Sequence, residues 1–264
     1  MKRLKVVIPV YCKLKDIERK SVVNTLNKFE KYDIAFVVPN GMDTTELRSE
    51  FPSIELIGVS DKWIGPGLGV KGYNEMMMSE SFYQLFSDYE YILICHTDAW
   101  VFYSDRMDSF LNMGYDIMAA PWVWRPRTWS KLKYKIFKHD NPFCKVLCRL
   151  FVKYSLHEFN EDCNIGNGGF SLRKVKSMLR VCREESDVIN EYLSHDDVMW
   201  NEDVFWSKPH RGFRFPTLAE ALSFAIDVRP WSCFQLNNHQ LPMACHGFFK
   251  GSKRKFWKRY IEVL

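Results

Sequence analysis

Short apolar runs alternate with segments of helical periodicity along roughly the first 120 residues. The runs at 6–10, 34–38 and 54–59 are rich in β-branched residues, and a segment with an apolar helical face follows the first of them. Residues 73–86, rich in methionine and aromatic side chains, predict a further helix. Because parallel strands need crossover connections, this βαβα order predicts a mostly parallel central sheet with helices on both faces.

A further apolar run, at 91–95, ends abruptly at His96, Thr97 and Asp98. An uninterrupted apolar run is typical of a strand that is buried on both faces of a parallel sheet. A carboxylate at the carboxyl end of such a strand lies where open α/β sheets bind their ligands. Because an unpaired buried charge is costly, Asp98 predicts a cation or a ligand rich in hydrogen-bond donors beside it.

The composition of the chain favours a protein of reducing compartments. With 264 residues and 47% hydrophobic side chains, the chain can form one large domain with a substantial core. Its eight cysteines form no C-x-x-C pair, and several lie in apolar runs. No stretch approaches the roughly 20 apolar residues of a spanning helix, and the charged amino terminus predicts a strand rather than a secretion signal. We therefore expect a cytoplasmic protein, either free or peripheral at the inner face of a membrane.

Positive charge is concentrated in two parts of the chain. The net charge of +5 is mild for this length and does not call for a nucleic-acid partner. Residues 124–154, however, contain nine Lys or Arg side chains and one acid, and a second basic cluster lies at 250–259 among aromatic residues. Each is either a solvated face or a contact with an anionic membrane surface or an anionic acceptor. The first cluster predicts a basic, partly helical insert at 122–160.

Residues 67–72 match the G-x-G-x-x-G pattern of dinucleotide-binding loops. Their context is wrong for that role, because the match follows the third predicted strand across a long loop, and the acid about 20 residues later, Glu90, opens a strand. Two interpretations stay open. The segment is either a flexible turn or a helix start at which Lys71 and the loop amides approach phosphates.

A second glycine-rich segment, at 164–173, contains three glycines and two asparagines directly before an apolar triplet. Glycines at this density let the backbone approach a ligand closely. The asparagine side chains supply the paired donors and acceptors that sugar hydroxyls require. An ordinary tight turn would explain the glycines but not both asparagines.

Adjacent acids at Glu202 and Asp203 predict the first turn of a short helix, with Asn201 as a candidate cap. The helix dipole alone favours acids in that position. The surrounding aromatic residues would also form a partly dry pocket, in which a carboxylate can act as a general base. Asp196 and Asp197 are alternative candidates for that base.

His246 lies between small and apolar residues near the end of the chain. A lone histidine in such surroundings is most often a buried residue with its hydrogen bonds satisfied. If the fold brings it near Asp98, the imidazole and the carboxylate form part of a site for a divalent cation. Substrate phosphates and water would supply the other ligands.

Taken in order, seven segments of the chain resemble the GT-A nucleotide-sugar glycosyltransferases. They are VIPVY, GYNEMM, YEYILICHTDAWVF, APW, GNGGFSLR, NEDVFWS and CHGF. The likeness is greatest to a bacterial branch long labelled only as a domain of unknown function, and it weakens in the basic insert and the carboxyl-terminal tail. It implies a single α/β domain over 1–264 with a Rossmann-like GT-A fold. Its parts would be a nucleotide-sugar-binding half at 1–121, the insert at 122–160, and an acceptor and catalytic half at 161–264.

The resemblance assigns roles to the polar residues. Asp98 stands at the third position of the family's Asp-x-Asp motif and, with the late His246, would hold Mn²⁺ or Mg²⁺. His96 replaces the usual first acid of that motif. Asp203, beside Glu202, matches the acid that deprotonates the acceptor. The implied donor- and nucleotide-binding residues are Pro9, Val10, Tyr11, Lys71, Asn74, His96, Thr97 and Asp98. The implied acceptor and sugar pocket consists of Trp122, Asn167, Gly168, Gly169 and Trp200.

The resemblance implies a metal-dependent enzyme that moves a sugar from a nucleotide diphosphate, with a UDP-sugar as the first choice, to a saccharide or glycolipid acceptor. A single positioned carboxylate suits inversion at the anomeric carbon. Synthesis of a bacterial surface polysaccharide is the setting that the family suggests. The alternative is a non-catalytic carbohydrate- or nucleotide-binding relative, which the missing first acid of Asp-x-Asp suggests. A sugar nucleotidyltransferase would carry a glycine- and arginine-rich loop after the first strand, and residues 11–14 do not.

Overall fold

The computed structural model describes residues 1–123, 165–210 and 212–264. The strands in these ranges are β1 (Lys2–Pro9), β2 (Asp33–Pro39), β3 (Glu55–Val59), β4 (Tyr89–Cys95), β5 (Ala99–Val101), β6 (Ile117–Ala119), β7 (Phe170–Lys174), β8 (Ala225–Ile226) and β9 (Ala244–His246). The α-helices are α1 (Asp16–Lys28), α2 (Thr45–Glu50), α3 (Gly69–Met77), α4 (Glu80–Gln84), α5 (Met107–Met113), α6 (Val175–Glu184), α7 (Ser186–Ser194), α8 (Glu202–Trp206), α9 (Leu218–Phe224), α10 (Pro230–Leu236) and α11 (Gly251–Trp257). A short 3-10 helix, Val198–Trp200, precedes α8.

The main sheet has the strand order β3-β2-β1-β4-β7-β6. Strands β3, β2, β1 and β4 run parallel to one another, whereas β7 is antiparallel to both β4 and β6. The prediction of an α/β fold with a mostly parallel central sheet is therefore confirmed. Because β7 is antiparallel, its first residue, Phe170, pairs with Cys95, the last residue of β4. The glycine-rich segment before β7 thus lies at the edge where the parallel strands end.

Both faces of the main sheet are covered, as the apolar run of β4 predicts. Alternate side chains of β4 enter separate cores. Leu93 and Cys95 pack in a core that includes residues of α1 and α5. Ile92 and Ile94 pack in a core that includes residues of α3, α4 and α6. Strand β4 is held from both sides, so the backbone that leads to His96 is fixed by the core.

A second, three-stranded sheet brings His246 to the end of β4. Its order is β5-β9-β8, with β5 antiparallel to β9. Ala99, the first residue of β5, pairs with His246, the last residue of β9. The backbone amide of Gly247 also donates a hydrogen bond to the carbonyl oxygen of Asp98 at 2.9 Å. The fold therefore places the late histidine beside the acid.

The predicted helix at 73–86 is wrong in its extent. Two helices, Gly69–Met77 and Glu80–Gln84, occupy this region. The chain breaks between them because the hydroxyl oxygen of Ser79 accepts a hydrogen bond from the amide of Phe82 at 3.2 Å, which caps the second helix. The first helix begins at Gly69, inside the G-x-G-x-x-G segment at 67–72, so that segment is partly helical.

The predicted basic insert at 122–160 lies almost entirely outside the described residues, which include only Trp122 and Val123 of it. Its partly helical character and the domain boundaries at 121 and 161 stay predictions. In the part of the chain that the structure describes, no helix combines the length and the apolar character that crossing a membrane requires.

Candidate active site

Three neighbouring cavities open at the edge where the parallel strands end. The first cavity, of about 510 Å³, lies beyond β1, β2 and β3, and its lining includes Val10, Tyr11 and Asp61. The second cavity, of about 220 Å³, shares Tyr11, Ile64 and Gly65 with the first. The two cavities therefore adjoin along the strand ends.

The second cavity contains most of the predicted site residues. Its lining includes His96, His246 and Asp203. The third cavity, of about 340 Å³, is lined mainly by apolar residues, Trp122 among them. Asn201 and Asp203 line both the second and the third cavity. Asp203 therefore lies at the boundary between the two.

Asp98 is buried, with 5% of its surface exposed. Its Oδ1 atom is 3.1 Å from Nε2 of His246, and its Oδ2 atom is 2.6 Å from Nζ of Lys250. Apart from this ion pair with Lys250, Oδ2 has no hydrogen-bond partner among the described residues. Burial opposes ionisation, but the hydrogen bond from His246 and the charges nearby outweigh it and hold the pKa of Asp98 well below its ordinary value. Asp98 is therefore an ionised carboxylate with unused acceptor capacity.

His96, Asp98 and His246 form a cluster with the chemistry of a metal site. One ligand atom from each residue lies within 4.8 Å of the others. Nε2 of His96 is also 2.7 Å from the hydroxyl oxygen of Tyr73. Burial lowers the pKa of His96 to about 3, so this imidazole is neutral. Two imidazoles and a carboxylate are a donor set suited to first-row divalent cations.

His246 has an acid at each ring nitrogen. Nε2 faces Asp98, and Nδ1 lies 3.1 Å from Oδ1 of Asp227. Burial opposes a charge on the ring, but the two carboxylates outweigh it and raise the pKa of His246 to about 9. A divalent cation at Nε2 would replace the proton there, because a metal ligand must be deprotonated.

Gly168 and Gly169 are required by close contacts with two of the site side chains. A Cβ atom on Gly168 would lie 2.0 Å from Oε1 of Glu202, and one on Gly169 would lie 2.2 Å from Nε2 of His246. The side-chain oxygen of Asn167 accepts a hydrogen bond from the amide of Gly169 at 3.0 Å and so closes the turn. The segment is thus a turn whose glycines admit the carboxylate and the imidazole.

Gly169→Ala is expected to displace His246 and to weaken binding of a divalent cation, because the added methyl group would overlap the imidazole. Overpacking of this kind destabilises a fold by about 1–3 kcal/mol. Gly65→Ala is the matched control in the same cavity, since its Cβ would meet Leu68 at an ordinary 3.4 Å. Calorimetric titration with Mn²⁺ compares the two variants, and equal affinities would contradict the expectation.

In the wall of the second cavity, Glu202 forms a buried ion pair with Arg173. Nη2 of Arg173 donates to Oε2 of Glu202 at 2.9 Å, and the two side chains are 0% and 4% exposed. Arg173 also donates to the hydroxyl oxygens of Tyr83 at 2.8 Å and of Ser171 at 3.0 Å. Burial raises the pKa of Glu202, and the guanidinium group opposes that rise. The carboxylate of Glu202 is therefore committed to Arg173.

Asp203 has a different environment, although it is the next residue. Its Oδ1 atom accepts a hydrogen bond from the amide of Val204 at 2.9 Å. No ion pair joins it to a cation among the described residues. Burial, followed by the charge of Glu202, raises the pKa of Asp203 to about 7. A carboxylate that titrates near neutral pH is suited to act as a general base.

The predicted cap of α8 is wrong in one respect. Asn201 occupies the N-cap position, but its side chain makes no capping hydrogen bond. Its oxygen instead accepts a hydrogen bond from Nδ2 of Asn74 at 2.9 Å. The oxygen of Asn74 accepts a hydrogen bond from the amide of Glu202 at 3.1 Å. Asn74, which also lines the second cavity, therefore caps α8 from outside.

Lys71 and Trp200 do not line the described walls of the three cavities, although their chain neighbours Val70, Met199 and Asn201 do. Lys71 forms an exposed ion pair with Asp196, at 3.1 Å. Asp197 accepts a hydrogen bond from the backbone amide two residues later at 2.8 Å, and so starts the 3-10 helix. Trp200 stacks on His195, with ring centroids 3.9 Å apart. The two alternative bases, like Lys71 and Trp200, do not line the described walls of these cavities.

The other predicted donor residues follow β1 and β4. Val10 lines the first cavity, and Tyr11 lines the first and the second. Pro9 is the last residue of β1. Thr97 is partly buried in the turn between β4 and β5.

Three residues of the site, Tyr73, Arg173 and Asp227, were not predicted from the sequence. Asp227 has the same signal as Asp98, an acid directly after an apolar strand, but that strand, Ala225–Ile226, is only two residues long. Lys250 was included only as part of the basic cluster. Nothing in its local pattern indicates the carboxylate that it meets.

Solved structures with a similar fold are glycosyltransferases. The galactosyltransferase LgtC, in complex with donor and acceptor sugar analogs, is 12% identical, with 92% of this chain and 86% of that chain covered and a TM-score of 0.54. The apo form of the glycosyltransferase GlyE in Streptococcus pneumoniae TIGR4 is 13% identical, with 98% of this chain and 60% of that chain covered and a TM-score of 0.52. These likenesses confirm the predicted GT-A fold.

At the level of sequence, the chain matches one family model. A search of curated protein sequences gives no match. The model of one protein family, described as "Protein of unknown function (DUF5672)", matches residues 53–246, which is more than half of the chain. The chain therefore belongs to the DUF5672 family and has the fold of the GT-A glycosyltransferases.

Proposed function

We propose that the protein is a glycosyltransferase, which transfers a sugar from a nucleotide diphosphate donor to a hydroxyl group of a saccharide or lipid-linked acceptor. One observation carries this proposal. Asp203 lines both the second and the third cavity, while His96 and His246 line the second. A sugar in the second cavity would thus have the candidate cation ligands, His96 and His246, on one side and the candidate base, Asp203, on the other. Asp203 also lines the third cavity, where it would contact the acceptor.

The first and second cavities are the proposed donor site. The first lies at the sheet edge where open α/β folds bind ligands, and its volume of about 510 Å³ suits a nucleoside. The second, at about 220 Å³, suits one sugar residue. Tyr11 belongs to both linings, so a nucleotide sugar can extend from one into the other. The choice of a UDP-sugar follows the family resemblance.

The residues present fit a divalent cation. His96, Asp98 and His246 supply two imidazoles and a carboxylate, which favours Mn²⁺ over Mg²⁺ because Mg²⁺ prefers oxygen ligands. The buried Oδ2 atom of Asp98, whose one charged neighbour among the described residues is the ammonium group of Lys250, supports this assignment, because a cation already lies beside it. A bound cation would supply positive charge that stabilises the departing diphosphate.

Asp203 is the proposed general base. As the acceptor oxygen forms its bond to the anomeric carbon, the bond from that carbon to the donor diphosphate breaks, and the hydroxyl proton passes to the Asp203 carboxylate. Attack on the face opposite the departing diphosphate inverts the anomeric configuration. Glu202 contributes through its neighbour, because its charge helps to raise the pKa of Asp203.

The proposed setting is the cytoplasmic face of a bacterial membrane, in the synthesis of a surface polysaccharide. Helix α11 and the residues after it support contact with an anionic surface, since Arg254, Lys255 and Lys258 are exposed. Phe256 and Trp257 are buried in the core instead. The basic side chains alone would therefore make that contact.

Thermal unfolding of the full chain with nucleotide diphosphates and nucleotide sugars, with and without Mn²⁺, tests the proposal. We expect UDP with Mn²⁺ to raise the unfolding midpoint, because a ligand that binds only the folded state stabilises it by about 2.7 kcal/mol at 100 times its Kd. Asp98→Ala is expected to remove the part that depends on Mn²⁺. Asp33→Ala, which removes an exposed acid paired with Lys2, is the control that retains it. A folded protein that no nucleotide stabilises would contradict the proposal.

A non-catalytic carbohydrate- or nucleotide-binding protein is the second candidate. His96 favours it, because this neutral side chain stands where the Asp-x-Asp motif has its first acid. Hydrolysis or transfer of a nucleotide sugar in the presence of Mn²⁺ would exclude it. Ligand binding that is unchanged by Asp98→Ala and by Asp203→Ala would support it.

A further inference from the structure

Asp227 is a buried acid to which neither the resemblance nor the proposed function gives a role. It follows β8 directly and is 7% exposed. Its Oδ2 atom accepts a hydrogen bond from Nδ2 of Asn167 at 3.0 Å. Its Oδ1 atom is 3.1 Å from Nδ1 of His246 and accepts a hydrogen bond from Nζ of Lys253 at 2.7 Å. Partners from three separate segments thus meet at one carboxylate.

The contact with His246 determines which ring nitrogen faces Asp98. A neutral imidazole has one N–H donor and one acceptor nitrogen. When a cation replaces the proton of Nε2, the one remaining proton lies on Nδ1, where Asp227 accepts it, and the lone pair of Nε2, the atom 3.1 Å from Oδ1 of Asp98, is available to the ion. A carboxylate behind a histidine orients the ring and makes the other nitrogen a better metal ligand.

The contact with Asn167 reaches the glycine-rich segment. The side-chain oxygen of Asn167 accepts a hydrogen bond from the amide of Gly169 at 3.0 Å. The carbonyl oxygen of Gly169 accepts a hydrogen bond from the amide of His96 at 2.8 Å. Gly169 also packs so closely against His246 that no side chain fits between them. One carboxylate therefore restrains both the imidazole and the turn that contacts it.

Lys253 balances the charge of Asp227. Its side chain, on α11, is 22% exposed and places the ammonium group 2.7 Å from Oδ1. An unpaired buried carboxylate would be costly. The ion pair with Lys253 thus allows Asp227 to stay charged and to accept a hydrogen bond from His246, because its buried charge is not left unpaired.

We propose that Asp227 is a positioning residue for the divalent cation: it directs Nε2 of His246 toward the ion and, through Asn167, keeps Gly169 packed against the imidazole. The inference rests on the proposed function for the presence of the cation. It goes further by assigning a role to a side chain that does not line the three cavities.

A purely structural role for Asp227 would have different consequences. An acid that only stabilises the fold would change the unfolding midpoint and leave the affinity of the folded site for a cation unchanged. Asp116 is the matched control for that role, since it is 8% exposed. It accepts hydrogen bonds from the hydroxyl group of Ser177 and from the amide of Arg214, away from the cation ligands.

The test measures binding of Mn²⁺ alone to the full chain, by the electron paramagnetic resonance signal of the free ion. We expect Asp227→Asn to bind Mn²⁺ about 10- to 100-fold more weakly than the wild type. We expect Asp116→Asn to bind Mn²⁺ with unchanged affinity, although its unfolding midpoint falls. Asp227→Glu keeps the charge but moves the carboxylate by one methylene group, and it provides the same readout if Asp227→Asn fails to fold.

Two results would overturn the inference: wild-type Mn²⁺ affinity in both Asp227 variants, or an equal loss of affinity in Asp116→Asn. A further test combines Asp227→Asn with His246→Ala. The double variant should bind Mn²⁺ with the same affinity as His246→Ala alone, because Asp227 acts through the His246 ring. The proposed function is judged separately, by nucleotide stabilisation without Mn²⁺. If the wild type bound nucleotides but no Mn²⁺, that result would contradict both this inference and the proposed cation site. It would still support the proposed nucleotide site.

Discussion

Asp203→Asn is expected to reduce sugar transfer by at least about 100-fold, the usual contribution of a positioned base, and to raise the free energy of unfolding at pH 8. Both effects have one cause. The cavity boundary holds a carboxyl group that must ionise to accept a proton, and burial together with the charge of Glu202 opposes that ionisation. Asparagine keeps the shape and the acceptor oxygen for the amide of Val204, but it neither ionises nor accepts the proton.

The sign of the stability change follows from the two pKa values. Asp203 has a pKa of about 7 in the folded chain, against an ordinary value of 3.8. Between these values the folded state retains a proton that the unfolded state has released. The contribution of this group to stability is therefore complete below about pH 4 and is lost as the pH rises through about 7. At about 1.4 kcal/mol for each pKa unit, the difference between 3.8 and about 7 makes the loss at pH 8 at most about 4.5 kcal/mol.

Unfolding by urea at pH 4 and at pH 8 measures the effect on stability. Asp203→Asn should gain stability relative to the wild type at pH 8 and not at pH 4. Asp108→Asn is a control of opposite sign, because hydrogen bonds from Lys31 and Tyr32 lower the pKa of Asp108, so its loss should destabilise at pH 8. Transfer by the wild type should rise through about pH 7. A variant that still transfers sugar at the wild-type rate would exclude Asp203 as the base.

The strand that precedes Asp98 could be predicted because its signal is local. Five uncharged residues in a row require burial on both faces, and the acid that follows must then lie at the sheet edge. The two helices between 69 and 84 were harder to separate, since the apolar pattern continues across the break. The stop signal was nevertheless present, as Ser79 followed by Glu80 is an ordinary cap and first-turn acid.

The approach of His246 to Asp98 could not be derived from any local pattern. It depends on the pairing of Ala99 with His246, which are 147 positions apart (246 − 99), in strands of three residues each. Only the family resemblance supplied that contact at the sequence level. Asp227 was missed for a related reason, since β8 is too short to produce a strand signal and no family motif covered it.

The different pairing and pKa values of Glu202 and Asp203 could not be predicted from the sequence either. Both acids occupy the first turn of α8, and helix propensity treats them alike. The distinction comes from Arg173, a cation that is 0% exposed in a sheet strand, where composition alone predicts an exposed side chain. Because Arg173 pairs with Glu202, the neighbouring acid lacks a counter-charge and becomes the group that titrates near neutral pH.

Glu202→Gln is expected to lower the free energy of unfolding by about 3–5 kcal/mol, because it leaves the buried guanidinium group of Arg173 without a counter-charge. The exposed pair of Glu80 with Arg183 supplies the control. Glu80→Gln should change stability by no more than about 1 kcal/mol. Denaturant unfolding at one pH compares the two variants. Equal losses of free energy of unfolding would contradict the expectation that breaking the buried pair costs more than breaking the exposed one.

Loss of the Glu202 charge should also move the ionisation of Asp203. That charge is the second cause, after burial, that raises the pKa of Asp203, so in Glu202→Gln the rise of transfer with pH should be centred below about 7. Adding Arg173→Met should restore part of the stability, because it removes the unpaired cation. Restoration should be incomplete, since Arg173 also donates to Tyr83 and Ser171. The pH midpoint of transfer should be higher in the double variant than in Glu202→Gln, because the charge of Arg173 lowers the pKa of Asp203, but it should stay below that of the wild type, because Glu202 has the larger effect.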